Sequence, residues 1–387
     1  MAGSSTTSHA DTHKTPHASS PSMTPHPSPQ TSNRRRIIAD VDTGIDDMLA
    51  LIYLAGMHHL GEIDLAAVTT SAGNTTAIQA AANTRYVLHL CGLSQIPVVA
   101  GSPNPLAIEL TTTPETHGPS GLGYAQAPQE FLLADDASAA NSAGHTALEL
   151  WHQFPQSHLL ITGPLTLLAR DLIAESVRES NLESPAGSAL EQFASVTVMG
   201  GAVDYPGNTT ETAEWNFWVD PDAVAKVFEA YGATDLNHSN HPTRPPLTLA
   251  SLQVTEQVIL TPELLTSWNF HSHHQLRQLV HDAVRFYFEF HESVGVGYCA
   301  QIHDLLAAQI ACGRAQAIGL STRETQLAAD LNHRGTIQAT TRKAHTQNTH
   351  AQTTRPAATV YLVDQVDGQK VWQEFARALA AVTSLAV

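Results

Sequence analysis

The sequence predicts an α/β fold, a mainly parallel open sheet with helices on both faces. Three observations carry that expectation. From residue 37 onward, short β-rich runs alternate with runs whose apolar residues recur at helical spacing. The chain has 387 residues, 42% of them hydrophobic, enough for one large core. Polar residues stand directly after the apolar runs, and open α/β sheets take their ligands at the carboxyl ends of their strands.

Taken in order, residues 1–36 read as a disordered Ser/Thr/Pro/His-rich tail. "TPHASSPSMTPHPSPQTSN" has no Val, Ile, Leu or aromatic residue to bury against the entropy of folding. Arg34, Arg35 and Arg36 read as a solvated boundary. "RIIADV" is then a strand and "DDMLALIYLAGMHHL" a helix. "IDLAAVTT" is a strand, followed by the helix "TTAIQAAANTRYVLHLCG", closed by Gly92. "IPVVAG", "SHLLIT", "SVTVMGG" and "PLTLASL" supply further strands. "LTLLARDLI" and "DPDAVAKVFEAYG" are helices between them. "HHQLRQLVHDAVRFYFEFHESVG" is a long helix, and "KVWQEFARALAAV" the terminal one. Residues 126–145, 177–190 and 337–357 read as polar surface insertions within a single domain spanning 37–387.

Composition narrows the partners. The formal net charge is −17 and Lys14, Lys226, Lys343 and Lys370 are the only lysines, which excludes phosphate-driven nucleic-acid binding. Three cysteines without a CxxC pair argue against a disulfide scaffold or a thiolate zinc site and suit a reducing, cytoplasmic compartment. No run of 18 apolar residues predicts a membrane span, and the start of the chain lacks the apolar core of a secretory signal.

The densest chemical signal is "DVDTGIDD", residues 40–47. Asp46 and Asp47 open a helix, where negative charge gains about 0.3–1 kcal/mol from the helix dipole. Asp40 and Asp42 have no such explanation; they leave the strand end on one pleat face. Clustered carboxylates repel unless a proton or cation lies between them. A hard divalent cation is the simplest remedy, and several carboxylates supplemented by carbonyls suit Ca²⁺.

"DVDTGIDDMLAL" resembles the aspartate motif of the inosine-uridine-preferring nucleoside hydrolase family. "VTTSAGNTT", "HGPSGLG", "ITGPLTLLA", "VMGGAVDYPGNTTETAEWNFWVDPDAV" and "IHDLLAA" follow in that family's order, spanning residues 37 to about 310. "LNHRGTI" and "VYLVDQVD" are weaker echoes. The resemblance implies the Rossmann-like nucleoside hydrolase fold and a ribonucleoside N-ribohydrolase that gives free base and ribose. It implies that Asp42, Asp47, the Thr162 carbonyl and Asp304 hold Ca²⁺, with Asp42 also the general base for an inverting attack by water. Asp46, Asn74, Asn216 and Asp304 would hold ribose hydroxyls. The Met199 carbonyl, Asn208 and Glu214 would grip the 5′ side, and Asp40 would stand behind the ligands. A homodimer or homotetramer is implied as well. Anionic residues around the sugar suit an oxocarbenium-like transition state.

The leaving base needs a proton or a hydrogen bond. Among 22 histidines, His303 is the candidate because it adjoins Asp304; His117 in "HGPSGLG" is a second, with a plain loop role as its alternative. Trp215 stands where the family often has Phe and would pack on the sugar or base, with simple core packing within "EWNFW" as its alternative. Tyr287 and His291 could reach the base, although a core helix face also explains them. Thr43, Leu167, Gln253 and Leu305 depart from the family's usual spelling. They bear on turn geometry and base preference rather than on the metal ligands. Two other readings stay open. One is a haloacid-dehalogenase-type phosphatase, which "IIADVDTG" also resembles but which needs a lysine that only Lys226 could supply. The other is a non-catalytic Ca²⁺ or nucleoside-binding protein on the same scaffold.

Overall fold

Central β-strands buried on both faces are written as continuous apolar runs, and the first strand follows that rule. A computed structural model of the chain describes residues 34–133, 144–180, 189–232, 244–340 and 356–385. β1 (Arg35–Val41) is buried from Ile37 onward. It lies between β2 (Ile63–Thr70) and β4 (Ser157–Ile161), parallel to both, with Asp40 in register with Thr69 on one side and Ile161 on the other. β3 (Val98–Ala100) follows β2. β5 (Phe193–Met199), β6 (Leu247–Ala250) and β11 (Ala357–Gln365) extend the parallel set beyond β4. β9 (Ser321–Ala329) and β10 (Ile337–Ala339) close that edge antiparallel. Among the described residues the sheet has nine strands in the order β10-β9-β11-β6-β5-β4-β1-β2-β3. A short antiparallel pair, β7 (Ile259–Leu260) and β8 (Ala300–Gln301), stands apart from it.

The pleat of β1 divides two apolar cores. Ile37, Ala39 and Val41 face the core that contains α1 (Ile45–His59) and α2 (Ala77–Leu90). Ile38 faces the core that contains α4 (His145–His152) and α5 (Thr166–Ser180), which follow the four-residue helix α3 (Pro114–His117). α6 (Trp215–Val219) and α7 (Pro221–Gly232) continue the second side. The first core also takes in α8 (Leu252–Thr255), α9 (Pro262–Ser267), α10 (His274–Ser293), α11 (His303–Ala311) and α12 (Gly368–Thr383). α1 is buried all round up to Met57, so it is held by neighbours rather than by one amphipathic stripe. It packs on α2, α11 and α12, and a Cβ on Gly56 would lie 2.2 Å from the Ala378 carbonyl oxygen.

Each element named from the sequence appears in the order expected; α4, α11 and the β7–β8 pair were not among those named, and three corrections apply. The strand begins at Arg35, so the tail expected over 1–36 loses its last residues. Arg35 donates from Nη1 to the Ala311 carbonyl at 3.0 Å, and Arg36 pairs with Asp64 at 3.1 Å. The rest of that tail, residues 1–33, lies outside the described residues. β9 was not expected: "STRETQLAA" is polar and exposed over its first half, so it carries no apolar run. The insertion expected over 337–357 begins and ends in strand, at β10 and β11, and its middle lies outside the described residues, as do 134–143 of the insertion 126–145 and 181–188 of 177–190. No helix among the described residues is long and apolar enough to cross a membrane.

Candidate active site

Between β1 and β4 the strand order turns back, so the connections after these strands leave in opposite directions and open a crevice at their carboxyl ends. "DVDTGIDD" is the first of those connections. Asp40 sits just inside the strand, with Oδ1 accepting from Thr69 Oγ1 at 2.8 Å and Oδ2 from Ser71 Oγ at 2.9 Å. Trp151 Nε1 donates to the same Thr69 hydroxyl at 3.0 Å. Burial pushes the Asp40 carboxyl up to about 7 despite those donors. It braces the strand end and does not line the cavity.

Asp42 is fully buried. Its Oδ2 accepts from the Asn74 amide at 2.7 Å and its Oδ1 from Asn74 Nδ2 at 3.1 Å. Gly73 makes this approach feasible, because a Cβ there would lie 2.1 Å from Asp42 Oδ2. Asp47 reaches back to the Gly44 amide at 2.8 Å, the reciprocal half of a helix capping box. Its Oδ1 accepts from Thr162 Oγ1 at 2.6 Å, while Asn74 Nδ2 reaches Oδ2, the oxygen bonded to Gly44, at 3.4 Å. One oxygen each from Asp46, Asp47 and Asp304 fall within 4.8 Å of one another. Asp42 stands just outside that trio, tied to Asp47 through Asn74. Burial, and after it the neighbouring aspartates, raise the Asp42 and Asp304 carboxyls well above the carboxylate range and Asp46 to about 7. Burial raises Asp47 as well.

Two buried acceptors here have no donor, Asp46 Oδ1 and Asn74 Oδ1. Unpaired buried acceptors beside converging carboxylates fit a hard, oxygen-seeking divalent cation together with the hydroxyls of a polyol. The expected Thr162 contribution differs in detail. Its carbonyl already accepts from Asn216 Nδ2 at 2.7 Å, leaving one lone pair, while its hydroxyl serves Asp47.

Opposite the acids, Glu214 caps α6, accepting from the Asn216 amide at 2.8 Å and from the Gly201 and Phe217 amides at 2.8 and 3.1 Å. Burial still raises its carboxyl to about 7. Asn216 Nδ2 bridges the Thr162 and Met199 carbonyls, the latter at 3.3 Å, so this amide knits β4 to β5. Asn208 Oδ1 accepts from the Trp215 amide at 3.0 Å. Trp215 stacks on Trp218 with ring centres 5.6 Å apart, and its buried indole N–H has no acceptor.

The third side comes from α3, α10 and the start of α11. His117 Nδ1 accepts from the Ile45 amide at 3.1 Å, which places the neutral ring's proton on Nε2. His291 is the reverse: Nδ1 faces the Tyr287 carbonyl at 2.8 Å and Nε2 accepts from the Gln301 amide, so this ring is fully used in holding α10 to β8. His303 Nδ1 lies 2.9 Å from Thr255 Oγ1. Burial, with repulsion from the neighbouring histidines, takes His117 and His303 down to about 3, and both are neutral at neutral pH. Tyr287 stands between His117 and His291, with ring centres at 5.3 and 4.4 Å.

These groups enclose a cavity of about 410 Å³, in the range of small-molecule sites. Of the residues expected from sequence, Asp46, Asn74, His117, Thr162, Met199, Asn208, Glu214, Trp215, Asn216, His303 and Asp304 line it. Asp40, Asp42 and Asp47 lie buried behind that wall. Thr113, Thr116, Glu256 and Gln301 also line it and went unnoticed in the sequence; only Gln301, two residues before His303, offered a positional hint. Lys226 pairs with Glu229 at 3.4 Å on α7 and does not line the cavity, so the phosphatase reading lacks its cation.

A family model described as inosine-uridine preferring nucleoside hydrolase matches residues 37–373. A pyrimidine-specific ribonucleoside hydrolase RihA from Shewanella woodyi is 32% identical over 296 residues, 75% of this chain and 85% of that protein. An inosine-uridine preferring nucleoside hydrolase from Crithidia fasciculata is 31% identical over 60% of this chain, a match that spans 64% of its own length. Among solved structures, a purine-preferring ribonucleoside hydrolase from Gardnerella vaginalis superposes with a TM-score of 0.69 at 21% identity. It covers 91% of this chain and all (100%) of that one. A plant nucleoside hydrolase, PpNRh1, gives 0.68 at 21% identity over 89% of this chain and 98% of its own, and the fold is thus shared.

Proposed function

The chain belongs to the inosine-uridine preferring nucleoside hydrolase family, and from that premise we propose that it hydrolyses the N-glycosidic bond of ribonucleosides in a Ca²⁺-dependent, inverting reaction. The observation that carries this reading is the convergence of Asp46, Asp47 and Asp304 beside Asp42, at the crevice between β1 and β4. Asp42, Asp47, the Thr162 carbonyl and Asp304 would hold the cation, with Asp46 near enough to join them. When bound, a hard divalent cation positions and acidifies a water molecule.

Every other contribution comes from the chain's own groups. Asp42 takes the proton of the attacking water, and Asn74 holds both of its oxygens toward that task. Asp46, Asn74, Asn216 and Asp304 orient the ribose hydroxyls; the unpaired Asn74 Oδ1 supports that role. The Met199 carbonyl, Asn208 and Glu214 receive the 5′ side. The negative wall favours the positive charge that develops on the sugar as the bond breaks. His303 assists the departing base from one side. His117 and Trp215 offer further N–H groups to it.

The named relatives differ in base preference, pyrimidine-specific, inosine-uridine preferring and purine-preferring. Base choice in this chain is therefore assigned to the wall formed by His117, Tyr287, Gln301 and Trp215. The test is release of free base and reducing sugar from inosine, guanosine, uridine and cytidine, with and without a chelator. Turnover of at least one nucleoside that stops on chelation and returns with Ca²⁺ supports the reading. Base release that survives complete removal of divalent metal sinks the mechanism. No base release from any of the four would favour the non-catalytic binder. A cytoplasmic enzyme assembled as a homodimer or homotetramer is proposed with it; Cys91, Cys299 and Cys312 are unpaired, which fits a reducing compartment.

A further inference from the structure

We infer that Thr255 is a positioning residue that fixes His303 in the neutral tautomer with its proton on Nε2, aimed at the leaving base; this rests on the nucleoside-hydrolase reading above. Thr255 closes the short helix α8 and is fully buried. Its Oγ1 lies 2.9 Å from His303 Nδ1, its single hydrogen bond among the described residues. A distance alone does not say which atom donates, but accounting for the hydroxyl proton does. A threonine in a helix can return its hydroxyl to the carbonyl four residues back. Here that is Ser251, whose oxygen already accepts from the Val254 and Thr255 amides at 3.1 and 3.2 Å. If Nδ1 carried the ring proton, the Thr255 O–H would be buried with no acceptor, at a cost of about 1–3 kcal/mol. The hydroxyl therefore donates to Nδ1, and the ring proton lies on Nε2.

Nδ1 is taken up by Thr255, so Nε2 is the nitrogen His303 presents to the cavity it lines. A neutral N–H there donates a hydrogen bond to a nitrogen or oxygen of the departing base as its electron density rises. His117 has the same tautomer for a different reason, its Nδ1 being occupied by the Ile45 amide. His291 has the opposite one and is structural. Two of the three histidines on this wall are thus fixed as donors by neighbours outside the substrate's reach.

The test compares Thr255→Val and Thr255→Ser in the full-length, Ca²⁺-loaded protein, on inosine and on p-nitrophenyl riboside, whose leaving group needs little help. General acid assistance is worth about 10²–10⁴-fold, so Thr255→Val should lower kcat on inosine by about tenfold or more while p-nitrophenyl riboside changes by less than about threefold. Thr255→Ser should restore inosine turnover to within about threefold of wild type, since it keeps the hydroxyl. Equal losses on both substrates, or none on inosine, overturn the assignment. The ¹⁵N chemical shifts of His303, identified by their loss in His303→Asn, read the tautomer without reference to turnover. An Nε2-protonated ring in wild type that becomes mixed in Thr255→Val upholds the inference even if no nucleoside is hydrolysed, an outcome that would defeat the functional reading alone. An Nδ1-protonated ring in wild type overturns it.

Discussion

Asp42 illustrates how a residue's surroundings decide its role. It is buried with two donors from a single neighbour, Asn74, and three further carboxylates close by. A structural aspartate would be satisfied by those donors alone; the acids massed beside it make sense only around positive charge. Asp42→Asn keeps the size and one acceptor for the Asn74 amide, so the fold should survive. Base release should fall by about 10²–10⁴-fold, the usual worth of a general base. Turnover near wild type in that variant, with its melting temperature intact, would remove Asp42 from the chemistry. At this scale the sequence was legible where composition was anomalous: four aspartates in eight positions demand an explanation wherever they fall. Glu256, Thr113 and Thr116 were not legible, because each is an ordinary polar residue whose meaning arises only when α3 and the segment after α8 are brought to one wall.

Among the elements, short connections carry the precision of the site. The turn at Gly73 lets the Asn74 amide reach Asp42, and a single methyl there would collide with the carboxylate at 2.1 Å. Gly73→Ala should lower base release by about 10²-fold through displacement of Asp42. Its stability should fall by only about 1–3 kcal/mol. Thermal melts and kcat measured side by side check the separation. The cap of α6 gives a pH signature. Glu214 has a usual carboxyl value of 4.5, raised to about 7 by burial, so the folded protein holds this proton more tightly than the unfolded chain. Its stabilisation is complete below about 4.5 and is lost as pH rises through about 7. Glu214→Gln abolishes that titration. The melting temperature of the variant relative to wild type should therefore rise between pH 5 and pH 8, by the equivalent of up to about 3 kcal/mol. A difference independent of pH would show that Glu214 does not titrate there. Elements were readable from sequence where burial on both faces made the run apolar, as in β1 and β2. β9 escaped because its exposed half is an unbroken run of polar residues.

For the whole molecule, strand alternation was enough to foresee a parallel sheet with its chemistry at one rim. It did not reveal the antiparallel edge or which helices share a core, since those depend on contacts between distant segments. Cation binding should couple to the stability of this whole assembly, because the ligands proposed for it come from the end of β1, α1, the turn after β4 and α11. At a free cation concentration about a hundred times its Kd, the folded state gains about 2.7 kcal/mol. Chelation should thus lower the melting temperature by several degrees, and Ca²⁺ should restore it. An unchanged melt would mean that nothing binds there under the conditions used.

The seating of α12 on α1 has a consequence in time. α1 carries Asp46 and Asp47, yet the backbone that Gly56 rests against, at Ala378, is made long after it. At about 5–20 residues per second, on the order of half a minute separates the two. Throughout that interval an apolar helix bearing half of the acid cluster lacks its cover. Until α12 emerges, a nascent chain should therefore expose apolar surface on α1 of the kind that drives aggregation.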